Sequence, residues 1–209
     1  MVDGARKMSS WVLSVFSDRS KETMVKLYTS MVRNKLEYCS PLWNPTKVAD
    51  IVNIEGVQRT FTNKITEVQH LSYHERLREL KLMSLQRRRE RYIILVMWKI
   101  LHKQTPNDLD VKFNHNERRG ICAKIPVLHK SARPKFQTMY NASSAVMGPK
   151  LWNTVPKSIN TKQTFQSFKS ALTAYLLRIP DHPPIIGLSS LNSLLDLHPT
   201  SIGGGTPVL

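Results

Sequence analysis

Apolar residues recur every three or four positions through most of the first hundred residues, the spacing that lines one face of a helix. Met24, Leu27, Tyr28, Met31, Val32 and Leu36 mark the strongest run, ended by Pro41. Upstream, Trp11, Val12, Val15 and Phe16 form a shorter stripe, and Asp18 or Ser20 offers a cap for the helix that follows. After a loop at Pro45 and Thr46, Ile51, Ile54, Val57, Phe61 and Ile65 make a third amphipathic face, with Gln58, Arg59, Asn63 and Lys64 on its opposite side. Ser72 stands three residues before Glu75, a capping-box pair that predicts a short helix carrying Arg76, Leu77 and Leu80.

The next helix has two ends of opposite character. Leu85, Tyr92, Val96 and Ile100 share one face, and Ile93, Met97 and Leu101 widen it until the second half is apolar nearly all round. That half is expected to be buried. The first half carries Arg87, Arg88, Arg89 and Arg91, each costly to desolvate without a partner, so it is expected to open to solvent. A planar guanidinium fork matches two phosphate oxygens, which makes this cluster a candidate anion site. Arg89 points away from the other three and is read as pairing internally; Glu90 is placed to pair with a neighbouring base.

From Asn107 the pattern breaks up. Ile121 to Leu128 reads as a short strand, Lys130 to Lys135 as a basic turn, and Val146 to Asn153 as a tight turn entering a short helix. Phe165, Phe168, Leu172 and Leu176 predict a last helix to about Arg178. Beyond it, Pro180, Pro183, Pro184 and Gly203 to Gly205 suggest an extended or disordered tail. The expected fold is mainly α: a helical region over residues 1–104, a basic region over 105–178 with short strands and one terminal helix, and a tail over 179–209.

Charge changes the picture most. The chain holds 31 lysines and arginines against 15 acidic residues, a formal net charge of +16. All the bases lie between Arg6 and Arg178. Such a body attracts polyanions by releasing their counterions, with nucleic acid first and an anionic membrane surface second. A hydrophobic content of 41% and four tryptophans fit a folded core. No apolar run nears the ~20 residues of a membrane span, and no signal-type segment follows Met1, so an intracellular place, nucleus or cytoplasm, is expected.

Candidate catalytic chemistry is sparse. Cys39 and Cys122 lie far apart, without the spacing of a zinc knuckle or disulfide framework, and Cys39 reads as a buried structural thiol. His70 and His74 are four apart but lack the adjoining glutamate of a zinc protease, and read as loop and cap. Asp108 and Asp110 sit in a loop beside Pro106, a poor support for two metal ions held ~3.5–4 Å apart. Trp43, Trp98, Trp152 and Tyr92 are assigned to core packing. No catalytic residue, metal ligand or cofactor is expected in this chain.

Several phrases in order carry a resemblance. Leu27 to Asn44 reads LYTSMVRNKLEYCSPLWN, Glu55 to Ile65 EGVQRTFTNKI, Leu71 to Leu80 LSYHERLREL, and Ser84 to Leu101 SLQRRRERYIILVMWKIL. GPKLWNTVP spans Gly148 to Pro156, FQSFKSAL spans Phe165 to Leu172, and Pro180-Asp181 follows. Together they resemble the C-terminal region of reverse transcriptases from jockey-like, LINE-type non-LTR retrotransposons. The resemblance covers about Ala5 to Asp196.

It implies a helical thumb that grips a template–primer duplex, followed by a further C-terminal domain. The parent family is an RNA-directed DNA polymerase, whose palm carries adjacent aspartates; no Asp-Asp pair occurs here, so this chain alone is expected to be inactive. A separate palm-containing polymerase chain is an implied partner, beside an RNA or RNA–DNA duplex. The bases expected to track the phosphate backbone are Arg59, Lys64, Arg76, Arg78, Lys81, Arg87, Arg88 and Arg91. Gln58 is expected to add hydrogen bonds, and stacking by Tyr92 is the alternative to its core assignment. The alternatives are a structural or protein-interaction module whose arginines pair internally, and a degenerate element remnant without activity.

Overall fold

The computed structural model describes residues 1–40, 44–45, 47–106, 110–126, 140, 143–185 and 192–197. The chain is mainly helical, with one two-stranded antiparallel sheet. It forms two compact units: Met1–Ser40, Pro45–Arg89 and Pro180–Asn192 in the first, Pro41–Asn44, Glu90–Ile179 and Ser193–Leu209 in the second. The division falls between Arg89 and Glu90, inside a helix, and not at the expected boundary near Gln104. A helix that is buried along most of its length contributes to more than one cluster of contacts, so a loop boundary does not mark where packing changes.

In the first unit, α1 (Val2–Val15) is followed by α2 (Lys21–Leu27) and α3 (Arg33–Glu37), joined by a π turn over Tyr28–Val32. Met24, Tyr28, Val32 and Leu36 are all fully buried. A strict four-residue spacing overshoots the 3.6-residue α turn, and the wider π turn takes up that drift. Then come α4 (Val48–Thr62), a 3₁₀ turn (Thr66–Val68) and α5 (Tyr73–Glu79). Ile54, Val57 and Phe61 face inward as expected, and the Tyr28 and Phe61 rings meet at 5.2 Å. The Ser72–Glu75 capping box forms in both directions.

Two local readings are corrected. The α1 stripe does not bury as a block: Ala5, Ser9 and Val12 face inward, while Trp11 and Val15 are 47% and 55% exposed. The inward positions are four and three apart, a stripe that the local apolar cluster does not follow. Ser20 occupies the N-cap of α2 without bonding there by its side chain; instead Lys21 N–H donates to Glu67 at 2.9 Å.

The second unit takes the rest of α6 (Leu85–Leu101), then β1 (Phe113–Asn116), β2 (Gly120–Ala123), α7 (Ser144–Trp152), α8 (Lys157–Asn160), α9 (Phe165–Arg178) and α10 (Leu194–Leu197). Its core is aromatic. Phe168 stands between Trp98 and Trp152, ring centroids 5.8 and 5.7 Å away, and the Trp98 indole donates to the Lys162 carbonyl at 3.1 Å. Gly148 and Pro149 lie within α7, not in a turn before it. A Cβ at Gly148 would stand 2.7 Å from the Met97 sulfur, so any larger residue there requires the Met97 side chain to shift.

The stretch read as a tail is anchored in its first part. Asp181, His182, Pro183 and Asn192 make hydrogen bonds within the first unit, and Leu194 is buried at the start of α10 in the second. Trp43, Asp108, residues 127–139 with the basic turn, and residues 198–209 with the glycine run lie outside the described residues.

Candidate nucleic-acid interface

The first turn of α6 is capped by acidic side chains and a serine. Ser84 Oγ accepts from Arg87 N–H at 3.0 Å, Asp181 accepts from Ser84 N–H at 2.7 Å, and Glu55 accepts from Leu85 N–H at 3.0 Å. Carboxylates belong at a helix N-terminus, where backbone N–H groups leave partial positive charge.

Into this cap the arginines turn inward. Arg87 is 0% exposed; its Nη2 donates to the carbonyls of Pro180 (3.1 Å) and Asn192 (2.9 Å), and its Nε and Nη1 have no hydrogen-bond partner. Arg88 is partly buried and forks onto Glu37, with Nη2 3.0 Å from Oε2 and Nε on Oε1. Arg89 is buried and donates to the Leu36 carbonyl at 2.6 Å; burial lowers its guanidinium to about 10, against the pull of Glu37 and Glu55. In the second unit, Arg91 is buried and donates from Nε to Thr173 at 3.1 Å, while Glu90 accepts from Ser193 Oγ and Leu194 N–H and so caps α10.

The solvent-facing mouth expected for α6 is therefore corrected. Its guanidinium groups are partnered by backbone carbonyls, the Thr173 hydroxyl and the Glu37 carboxylate, which no spacing rule announces, and Arg87 Nε and Nη1 are left unbonded. Arg76 is also buried, donating to the Leu71 carbonyl at 2.6 Å. Arg59 is half-buried, and Lys64, Arg78 and Lys81 are exposed. Of the eight expected contacts, Arg76, Arg87 and Arg91 are turned inward, and three exposed bases remain beside the half-buried Arg59 and Arg88.

Gln58 was placed on the solvent side of α4 and is instead 0% exposed. Its amide accepts from Tyr28 Oη at 2.7 Å and donates to Tyr73 Oη at 3.1 Å and the Met83 carbonyl at 3.2 Å. Tyr73 Oη also donates to Glu55. Burial pushes the Glu55 carboxyl up to about 8; Tyr73 and the N–H groups of Leu85 and Gln86 pull it down, and the Asp181 charge pushes it further up. This polar knot joins the π turn, α4, α5 and α6 inside the first unit.

A second basic surface, not among the expected sites, lies on the β1–β2 hairpin. Its register pairs Phe113 with Ala123, Asn114 with Cys122, His115 with Ile121 and Asn116 with Gly120. The free edge of β2 is closed by side chains of the GPKLWNTVP stretch and α8. Trp152 donates to the Ile121 carbonyl at 2.8 Å, and Asn153 both accepts from Ala123 N–H (2.8 Å) and donates to its carbonyl (2.9 Å). Asn160 accepts from Ile121 N–H at 3.3 Å and donates to the Arg119 carbonyl at 2.9 Å. Gly120 has φ +76° and no room for a Cβ against Asn160, so the turn requires glycine.

At the tip, the Asn116 side chain accepts from both Arg118 and Arg119 N–H at 3.0 Å. A groove of about 600 Å³ on this hairpin is lined by Lys112, Arg118, Arg119 and Lys124 among its residues, with no acidic side chain. The sequence signal was a run of alternating residues closing on Glu117-Arg118-Arg119-Gly120, a loop with glycine at its exit.

The remaining candidates are placed simply. Cys39, read as buried, is exposed at φ +53°; Cys122 is half-exposed. His70 is exposed, and His74 packs edge-on against His182 at 4.9 Å. Asp110 is exposed and 3.9 Å from Lys112. Trp98 and Trp152 are core residues, and Tyr92 is half-buried beside the Arg91 guanidinium. Among the described residues, no group of side chains is arranged to hold a metal ion and no helix is long and apolar enough to cross a membrane. No protein family, curated protein or solved structure matches the chain.

Proposed function

We propose that this chain binds nucleic acid through the phosphate backbone, as the C-terminal portion of an RNA-directed DNA polymerase of the non-LTR retrotransposon kind. The observation that supports this reading is the charge left outside once the inward arginines are set aside. Lys64, Arg78 and Lys81 are exposed on the first unit, in a chain of net charge +16. Contacts of that kind position a duplex by its shape and phosphates without reading bases. Polymerisation itself belongs to a palm with paired aspartates, which this sequence does not contain.

The test is binding of the whole chain to a labelled RNA–DNA hybrid across a salt series, beside Lys64→Glu/Arg78→Glu/Lys81→Glu. Wild type binds with an affinity that falls linearly in log salt, and the triple variant has a slope shallower by up to about 2.7. Absence of binding at low salt overturns the reading.

A second reading has its own support. Arg76, Arg87, Arg88, Arg89 and Arg91 all bond within the chain, as expected of a structural or protein-interaction module. On that reading nucleic-acid affinity is negligible, or survives the triple reversal.

A further inference from the structure

Cross-strand partners in an antiparallel pair project from the same face of the ribbon. Lys124 N–H donates to the Lys112 carbonyl at 2.8 Å, so these two extend the ladder by one rung beyond Phe113 and Ala123. By the two-residue alternation, Lys112, Asn114 and Asn116 share a face with Lys124, Cys122 and Gly120. The opposite face sends Phe113 edge-on to Trp152 at 5.9 Å.

The outer face thus has two lysines at its open end, amides and a thiol in the middle, and Arg118 and Arg119 at the tip. From the Lys112 rung to the Asn116 rung it runs roughly 14 Å.

Lysines directly opposite each other repel and weaken a ladder. Adjacent arginines at a three-residue tip add to that repulsion. Among the described residues the acidic contact on these bases is Asp110 on Lys112, at 3.9 Å with both side chains mostly exposed, too loose to offset it. The tip is nonetheless held in place by Asn116, Asn160 and the Lys157 ammonium, which donates to the Glu117 carbonyl at 2.6 Å. A fixed array of like charges with hydrogen-bonding amides between them suits a ligand that brings evenly spaced negative charge. Phe113 also lines the groove, its ring held edge-on against Trp152.

We propose that the outer face of the β1–β2 hairpin is a binding site for the phosphodiester backbone of a single nucleic-acid strand, running from Lys112 and Lys124 to Arg118 and Arg119. It rests on the nucleic-acid reading above but uses a different surface, on the second unit. Asn114 and Asn116 donate to phosphate or sugar oxygens, and Cys122 lies under the strand.

The experiment uses the full chain with a short labelled oligouridylate and, in parallel, the RNA–DNA hybrid. Lys112→Gln/Lys124→Gln and Arg118→Gln/Arg119→Gln each weaken oligouridylate binding by about tenfold or more and reduce the salt slope by roughly 1.4. Lys7→Gln/Lys35→Gln, an equal charge change on exposed lysines that neither surface uses, leaves oligouridylate binding close to wild type. A second readout needs no change of charge. In a Cys39→Ser background, saturating oligouridylate slows alkylation of Cys122. Wild-type binding that the hairpin variants do not alter, with Cys122 alkylated at an unchanged rate, overturns the hairpin site and leaves the broader function standing. Loss of oligouridylate binding alone, with hybrid binding retained by wild type, overturns the single-strand assignment. Failure to bind either probe overturns both.

Discussion

Two arginine-rich stretches of this chain look alike as text and are opposites in space. Arg87-Arg88-Arg89-Glu90-Arg91 opens α6, and Glu117-Arg118-Arg119 forms the tip of the hairpin. At the first, guanidinium groups are buried and bonded to carbonyls of Leu36, Pro180 and Asn192 and to Glu37. At the second, the arginines are exposed and it is their backbone N–H groups that are held. Charge density along a sequence therefore says little about where charge faces. A helix entering a core brings its whole circumference inside, and its cations must find partners there. A three-residue tip has no interior side.

The comparison breaks most visibly under charge reversal. Arg87→Glu sets a carboxylate against the carbonyls of Pro180 and Asn192 and is expected to destabilise the chain by roughly 3–5 kcal/mol in urea unfolding. Arg118→Glu/Arg119→Glu is expected to change stability by no more than about 0.5 kcal/mol while weakening nucleic-acid binding. Equal stability losses would erase the distinction.

The next effect depends on pH. Glu55 rises from its ordinary 4.5 to about 8 in the folded chain. Below about 4.5 it is protonated whether folded or not. As pH climbs toward 8 the unfolded chain releases this proton and the folded chain keeps it, so stability falls across that window and levels off above it. The size is a few kcal/mol, read as unfolding midpoints at several pH values. Glu55→Gln flattens the slope; an unchanged slope would locate the titration elsewhere. The hairpin variants leave it untouched.

Smaller effects sharpen the hairpin side. Asn153→Ala leaves both the N–H and the carbonyl of Ala123 unpaired and is expected to cost about 1–3 kcal/mol, with weaker binding because the ribbon loosens. Ser72→Ala removes the α5 cap at a cost of about 1 kcal/mol and no change in hairpin binding.

Legibility followed the range of the interaction. The Ser72–Glu75 box involves residues three apart, and it formed as read. The α9 helix appeared over Phe165–Arg178 because Phe168, Leu172 and Leu176 lie on one stripe, all buried. Gln58 could not be placed from its neighbours. It is polar, beside Arg59, yet its partners Tyr28, Tyr73 and Met83 come from 15 to 30 residues away. Arg87 failed for the same reason, since its acceptors lie 93 and 105 residues downstream. The hairpin was half read: the β2 strand was expected, while its partner β1 and the side chains closing its edge were not.

By itself, then, the sequence determined the mainly helical class, the helices with an unbroken apolar period, their local caps and the large excess of positive charge. These depend on residues within a turn or two of one another and on sums over composition. Only the tertiary structure decided which cations face outward, that Glu55 and Gln58 form a buried knot, that Pro180, Asp181 and Asn192 fold back on the start of α6, and that four bases line one groove on a ribbon. Each of those depends on groups brought together from distant parts of the chain, where burying a polar atom is tolerated only if a partner meets it.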